Sequence, residues 1–276
     1  MADLPPFIDL TSDARPEPVS PFDRALKACL DDLFAALPTL ATGTGYHAFD
    51  DRWPDLSEAG RLGRIELLAR HDEALRTLPD DALSVDEVID RGIVLEALDG
   101  LRFEATSLRE EACDPLTYVL VLGSGLHGLL AREFAPWRHR GSAFLWRARR
   151  VPEVLDVARS TLTGLPGRPV GLLQTETAIE QLPGILSLVD EAIEEARRQE
   201  GPDATAILAS LEAVRTDVSE AIDAFRRHLE TVIRPAAAGE GRLGADLFSA
   251  KLRHSLSSDL SVEALRARAQ HDFDVI

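Results

Sequence analysis

The spacing of histidine is the first feature of this sequence that bears on chemistry, because helical hydrolases commonly hold a catalytic zinc ion with it. A His-Glu-x-x-His motif places two histidines on one helix face, and its glutamate activates the bound water. None of the seven histidines here stands four residues from another, and none is followed directly by glutamate. We therefore expect no catalytic residue and no zinc in this chain, and no activity from the chain alone.

Nucleophilic residues also lack a recognisable setting. There is no Gly-x-Ser-x-Gly elbow, and neither of the two cysteines, Cys29 and Cys113, stands in a signature with histidine. Two cysteines are too few for a disulfide framework or a four-thiolate metal site. Cys29 falls on an apolar helical stripe, which predicts a buried thiol.

A long connection over residues 38–56, PTLATGTGYHAFDDRWPDL, gathers polar and aromatic side chains. These side chains are His47, Asp50, Asp51, Arg52, Tyr46 and Trp53. Irregular segments of this length inside a domain often serve function. The alternative is an irregular segment that its aromatic residues hold in place, with His47 or Asp50 capping a helix.

Glu176 and Glu180 form a second candidate. They lie four residues apart and therefore on one helix face. Paired carboxylates can perform acid–base chemistry or bind a metal ion, although acidic helices often carry such pairs without either role.

Two further motifs favour structural interpretations. The run G-S-G-L-H-G at 123–128 fails the G-x-G-x-x-G spacing and has no βαβ context, so close helix packing through glycine explains it better than a dinucleotide site. His127 is then expected in the core or at an interface. The basic group Arg147, Arg149 and Arg150 predicts a solvated face paired with carboxylates.

Hydrophobic periodicity predicts an all-α protein of about eight to ten helices, mostly antiparallel. Ser20, Ser57 and Asp203 are expected to cap helices, and Ser84 with Glu87 forms a capping box for a helix reaching about residue 111. Pro183-Gly184 should kink the helix over 173–199. The apolar seam from Ile207 to Val232 predicts a long helix that packs along another. We expect a flexible, acidic, Pro-rich arm over 1–19 and a single all-helical domain over 20–276.

Composition excludes several partners. Lysine and arginine total 30 against 47 aspartates and glutamates, a formal net charge of −17. Such a surface repels phosphate backbones and anionic lipid, so neither nucleic acid nor a membrane is an expected partner. No run approaches about 18 consecutive apolar residues, and the N-terminus lacks a basic region, which predicts a cytoplasmic protein.

Six stretches, in this order and spacing, together resemble the N-terminal half of a mostly bacterial family known as domain of unknown function 885. They are ATGTGYHAFDDRWPDLS (41–57), DRGIVLEAL (90–98), REFAPW (132–137), TETAIEQL (175–182), RLGADLFSAKLR (242–253) and DLSVEAL (259–265). The resemblance covers nearly the whole chain from Ser20 onward. Members of that family look like helical zinc metallopeptidases of the neurolysin and angiotensin-converting-enzyme type, with two halves around a channel.

The resemblance implies that this chain forms one wall of a substrate channel. Zinc and its ligands would lie in a C-terminal half beyond Ile276, which would be the partner of this chain, with a peptide as substrate. The residues in the matching stretches are candidates for contact with substrate: His47, Asp50, Glu176, Glu180, Arg242 and Lys251. Arg242 and Lys251 could pair with a peptide carboxylate, or with carboxylates of this acidic protein.

A second hypothesis treats the chain as a stand-alone helical binding or scaffold module. In that case the seam from Ile207 to Val232 would be the interface, with a homodimer as one candidate assembly. Under the first hypothesis, a half of a larger fold should expose a broad apolar face and tend to associate.

Overall fold

The computed structural model of the protein describes residues 19–275, which are helical and contain no strand. The all-α prediction is confirmed. The helices are α1 (Pro21–Ala36), α2 (Pro38–Thr44), α3 (Glu58–Arg76), α4 (Val85–Phe103), α5 (Glu110–Cys113), α6 (Leu116–Leu130), α7 (Trp137–Ala148), α8 (Val151–Thr161), α9 (Leu172–Gln181), α10 (Pro183–Arg198), α11 (Pro202–His228), α12 (Arg234–Ala236), α13 (Ala245–Leu256) and α14 (Val262–Val275). No described helix is long and apolar enough to cross a membrane.

These elements gather into two compact units. Unit 1 contains Ala28–Leu62 and Glu110–Gly241, and unit 2 contains residues 19–27, Gly63–Arg109 and 242–275. The single-domain prediction for 20–276 stays a prediction. The predicted arm over 1–19 lies outside the described residues except for Val19.

The core of unit 1 forms around α11, which packs against α7, α8 and α10. Its apolar seam is buried from Ile207 to Leu229, whereas Val232 is exposed. The helical seam was predicted correctly, but it is covered by helices of its own chain. The predicted location of a homodimer interface is therefore wrong, while the oligomeric state itself stays a prediction.

Side-chain caps define several helix starts as the sequence predicts. The Ser20 and Ser57 hydroxyls accept hydrogen bonds from the backbone N–H groups of Asp23 and Gly60, at 2.9 and 3.1 Å. Ser84 and Glu87 form the expected capping box. Asp203 is not a cap, because Gly201 holds the cap position of α11 with Pro202 as the first helical residue.

Two predicted helices divide where the backbone departs from α geometry. The α-helix capped by Ser84 ends at Phe103 and is followed by a π-helical turn over Glu104–Leu108. The helical run stops at Arg109, which adopts a left-handed φ of 45°. The helix expected to kink at Pro183-Gly184 divides into α9 and α10 at Leu182.

Glycines of α6 allow close packing inside unit 1. A Cβ on Gly125 would stand 2.3 Å from the Trp53 ring, and one on Gly128 would stand 3.4 Å from the Thr42 methyl group. The helix-packing interpretation of G-S-G-L-H-G is therefore confirmed. His127 is exposed, so its predicted place in the core is wrong.

Unit 2 packs α13 against α4. The ring of His254 lies 4.8 Å from that of Phe103, and its Nδ1 is 3.8 Å from Asp99 Oδ2. On α4 only Leu98 is buried, and neither α13 nor α14 buries a residue among those described.

Candidate functional site

Arg147 on α7 is the centre of the most connected polar cluster in unit 1. Its side chain is 0% exposed. The prediction of a solvated face is therefore wrong for this arginine, although Arg149 is exposed. A buried guanidinium is tolerated only when its N–H groups find acceptors.

Each guanidinium nitrogen of Arg147 has such an acceptor. Nε donates to the Arg52 carbonyl at 3.0 Å, and Nη1 donates to the Gly125 carbonyl at 2.6 Å. Nη2 donates to the Thr42 hydroxyl at 2.7 Å. Arg147 thus ties α2, α6 and the segment after α2 to α7.

Burial lowers the pKa of Arg147 to about 10, and the negative charges of Asp50 and Asp51 oppose that shift. The side chain therefore keeps its positive charge at neutral pH. The nearby carboxylates offset part of the cost of burying that charge.

Asp50 and His47 extend this cluster. Asp50 Oδ1 accepts a hydrogen bond from the Thr42 hydroxyl at 2.6 Å, and Asp50 Oδ2 lies 2.8 Å from His47 Nδ1. The His47 ring stacks on Phe134, with 3.5 Å between ring centroids. We call His47, Asp50, Thr42 and Arg147 the buried network.

The connection over 38–56 is more ordered than the sequence predicts. Its first part forms α2, which ends at Gly45 with a left-handed φ of 87°. Further along, the Trp53 indole N–H donates to the Arg147 carbonyl at 2.9 Å. The alternative of a segment held by its aromatic residues is therefore confirmed, although His47 and Asp50 pair with each other instead of capping a helix.

The buried network satisfies its own polar groups. Asp50 is 2% exposed, and both of its oxygens have partners inside the protein. A general base must reach a substrate proton, which this carboxylate cannot do without breaking those contacts. The network therefore holds the segment after α2 in place.

The family resemblance implies zinc only in a C-terminal half, and the described residues of this chain do not themselves fit a zinc ion. In residues 19–275 no group of three or more histidine, cysteine, aspartate or glutamate side chains could hold a metal ion. The buried network offers only one histidine and one carboxylate, and zinc sites require three or four protein ligands.

The remaining predicted site residues lie apart from the buried network. Glu176 and Glu180 are exposed on α9 and make no ion pair with any described residue. Arg242, in unit 2, is exposed and likewise has no ion pair in the described part of the chain, so the internal pairing expected for it is absent. Lys251 on α13 is half-buried.

Sequence reasoning overlooked Arg147 and Thr42. Arg147 stands in a basic run that resembles a surface, and only the carbonyl groups around it identify it as buried. The helical period did place it among the apolar residues of α7, since Ala143 and Phe144 lie one turn earlier and are buried. The thiol of Cys29 was predicted correctly: it is buried, and burial raises its pKa to about 11.

Comparison with solved structures identifies a similar fold in a longer protein, a predicted lipoprotein of unknown function from Shewanella oneidensis. The two chains share 22% sequence identity with a TM-score of 0.78. The match covers 92% of this chain and 45% of the other, so this chain spans less than half the length of that protein. At this identity the likeness shows the fold alone.

Comparison with curated proteins gives no match. A family model does match, over residues 38–276, and its description is a bacterial protein of unknown function, DUF885. Because that match spans most of the sequence, the chain belongs to the DUF885 family.

Proposed function

We propose that this chain forms one non-catalytic wall of a peptide-binding channel in a zinc-metallopeptidase-like protein. The observation that carries the proposal is the fold match to less than half of a longer protein. A part of a larger fold can shape a channel while another part supplies the reactive groups.

The proposed wall uses exposed charges that have no partner within the described chain. Glu176 and Glu180 stand one turn apart on α9 and would attract the basic side chains or amino terminus of a peptide. Arg242 would pair with a peptide carboxylate. His47 and Asp50 would contribute indirectly, because they are part of the buried network that holds the segment after α2.

The first experiment asks whether the chain alone contains the catalytic centre. After dialysis against buffer containing zinc and then against buffer without it, metal analysis should find no stoichiometric zinc. A mixed peptide substrate should remain uncleaved. One zinc ion retained per chain, together with hydrolysis that a chelator abolishes, would overturn the proposal.

The second experiment tests the wall itself. Replacing Glu176→Gln and Glu180→Gln together should weaken binding of a lysine-containing peptide several-fold, as measured by calorimetry. The control replaces Asp217→Asn and Glu220→Gln, which are exposed on α11 and remove the same amount of charge. Equal weakening by both pairs would show a general effect of net charge, and would contradict a specific role for α9.

The stand-alone binding module is a weaker proposal. Its predicted interface is the seam of α11, which is buried within unit 1. The cytoplasmic location also stays a proposal, since the similar Shewanella protein is described as a lipoprotein.

A further inference from the structure

A cleft of about 400 Å³ opens in unit 1 between the segment after α2 and the first turns of α8. Its floor is apolar and consists of Pro54, Leu56 and Val154, all of which are buried. Trp53 forms one side. Small-molecule sites in proteins have this volume and this combination of apolar floor and polar rim.

The rim of the cleft carries charges of both signs, and its two cations already have partners. Arg150 donates to the Asp51 carbonyl at 3.3 Å and lies over the Trp146 ring at 5.0 Å. Arg52 lies over the Phe49 ring at 5.3 Å, and its Nε is 3.4 Å from Asp51 Oδ1. Neither guanidinium is therefore free to hold an anion without losing contacts to its own chain.

Of the three carboxylates that line the cleft, Asp55 accepts a hydrogen bond from the Ser57 backbone N–H at 2.9 Å, whereas Glu153 and Asp51 are less satisfied. Glu153 makes no hydrogen bond or ion pair with any of the described residues. Asp51 Oδ1 accepts no hydrogen bond within residues 19–275, since its contact with Arg52 is an ion pair without hydrogen-bond geometry. The Arg52 side chain is 57% exposed, so an ammonium ion could compete with it for this oxygen from the solvent side. The cleft therefore contains carboxylate oxygens that lack hydrogen-bond donors, and a positively charged donor would suit them best.

One role for Glu153 needs no ligand. It lies in the first turn of α8, where a negative charge interacts favourably with the helix dipole. That role does not account for the unmet acceptor on Asp51 or for the apolar floor beside it. The net charge of −17 also raises the local concentration of cations at such a cleft.

We propose that this cleft binds an organic ammonium ion attached to an apolar or aromatic body. The body would rest on Pro54, Leu56 and Val154, and the ammonium group would lie between Glu153 and Asp51. Both a free aralkylamine and the amino terminus of a peptide have this chemistry. The inference concerns unit 1 alone and does not depend on the proposed channel.

Calorimetry with the full chain at pH 6.5 tests the ammonium requirement. Phenethylamine is the probe, and 2-phenylethanol is its control because it has the same body without the charge. We expect phenethylamine to bind at least tenfold more tightly. Equal affinity for both compounds, or no binding of phenethylamine at millimolar concentration, would overturn the proposal.

A pair of variants on α8 locates the site. Glu153→Gln should weaken phenethylamine binding by about fivefold or more. Asp156→Asn removes one negative charge from an exposed position on the same helix, which pairs with Arg159 outside the cleft, and should change the affinity less than twofold. Equal losses in the two variants would place the effect in the general field of the protein and would contradict the assigned cleft.

A third comparison separates the two sources of the ammonium group. The tripeptide Phe-Gly-Gly carries a protonated amino terminus at pH 6.5, because terminal amines titrate near pH 7.7–8.0. Its N-acetylated form carries none and should not bind. Tighter binding of the tripeptide than of phenethylamine assigns the cleft to peptide termini, and the reverse order assigns it to free amines. If the tripeptide binds, equal affinity of its acetylated form would show that the ammonium group is not recognised and would overturn the proposal.

Discussion

The two units of this protein are built from helices with similar start and stop signals, yet they bury very different amounts of side chain. In unit 1, α6, α10 and α11 each contribute several residues to a continuous apolar core. In unit 2, α4 exposes Val85 and Ile93, and α13 and α14 bury none of their described residues. Caps and propensity therefore determine where these helices begin and end, while packing determines how stable they are.

The polar contacts of the two units differ in the same way. Unit 1 contains the buried network, in which hydrogen bonds are sheltered from water. Both units carry exposed ion pairs, for example Arg197–Glu194 in unit 1 and Arg76–Asp72 and Arg102–Asp99 in unit 2. Exposed ion pairs contribute only about 0–1 kcal/mol each, so unit 2 gains little from them.

Removing Arg147 should produce the largest loss of stability. Arg147→Met removes the side-chain donors to the carbonyls of Arg52 and Gly125 and removes a buried positive charge that interacts with Asp50 and Asp51. Breaking a buried charged contact in this way costs about 3–5 kcal/mol. Thermal unfolding followed by circular dichroism should show a midpoint lower by roughly 6–15 °C.

Arg149→Met is the matched control, because this arginine is exposed in the same basic run. It should change the unfolding free energy by no more than about 0.5 kcal/mol. If the two variants were equally stable, Arg147 would not be the centre of the packing described above.

Truncating one leucine in each unit tests the contrast in burial directly. Leu211→Ala on α11 removes a fully buried side chain and should cost about 2–5 kcal/mol. Leu256→Ala at the end of α13 removes a side chain that is 45% exposed. It should cost under about 1 kcal/mol. Denaturant unfolding provides the measurement, provided that the two variants have equal m-values. Comparable losses would contradict the contrast in burial between α11 and α13.

Replacing either of two glycines of α6 by alanine should change the unfolding free energy in opposite directions. Gly125→Ala brings a Cβ within 2.3 Å of the Trp53 ring, and this overpacking should cost about 1–3 kcal/mol. Gly123→Ala meets no atom within 4 Å. It should stabilise the helix by about 0.5–1 kcal/mol. The unfolding free energies of the two variants should move apart; destabilisation by Gly123→Ala would show that helix propensity does not govern that position.

The elements of this fold could be predicted from sequence because their signals are local. Ser20, Ser57 and Ser84 act within three or four residues of themselves, and the seam of α11 repeats regularly. Arg147 could not be predicted, since its acceptors lie far away in sequence, at Pro38, Thr42, Arg52 and Gly125. The place of Asp203 was missed for a different reason: Gly201-Pro202 already satisfies the helix start, so the nearby carboxylate is not needed as a cap.

The candidate site shows the same difference between residues that local patterns identify and residues that only tertiary packing identifies. His47 and Asp50 were singled out for their types, and the structure brings them within 2.8 Å of each other. Their chemical role changes once Thr42 and Arg147 are seen to occupy the same cluster. The cleft beside Trp53 was not predicted, because its floor residues are ordinary apolar positions of a turn and a helix that only tertiary packing brings together.

The cap of α4 should give a smaller effect in unit 2. Ser84→Ala removes the hydroxyl that accepts from the Glu87 backbone N–H at 3.2 Å, and the loss should be about 1 kcal/mol. Ser124→Ala, at an exposed mid-helix position on α6, serves as control and should be nearly neutral. Amide hydrogen exchange should show faster opening of the first turn of α4 in Ser84→Ala alone. Unchanged exchange there would contradict the role of the capping box.

Lowering the pH should slightly reduce the stability of unit 1, because His228 becomes protonated more readily in the unfolded chain than in the folded one. Burial, with a contribution from Arg159, lowers the pKa of His228 below the ordinary value of 6.5, and its Nε2 is buried without a hydrogen-bond partner in the described chain. The unfolded chain therefore binds more protons than the folded one between that lowered pKa and pH 6.5, so stability is complete above 6.5 and declines as the pH falls below it. His228→Gln should flatten this decline in unfolding free energy between pH 7 and 5, whereas the exposed control His271→Gln should not. Identical pH profiles for the wild-type protein and His228→Gln would mean that protonating this ring costs nothing in the folded state, and that the packing around the end of α11 is looser than its burial indicates.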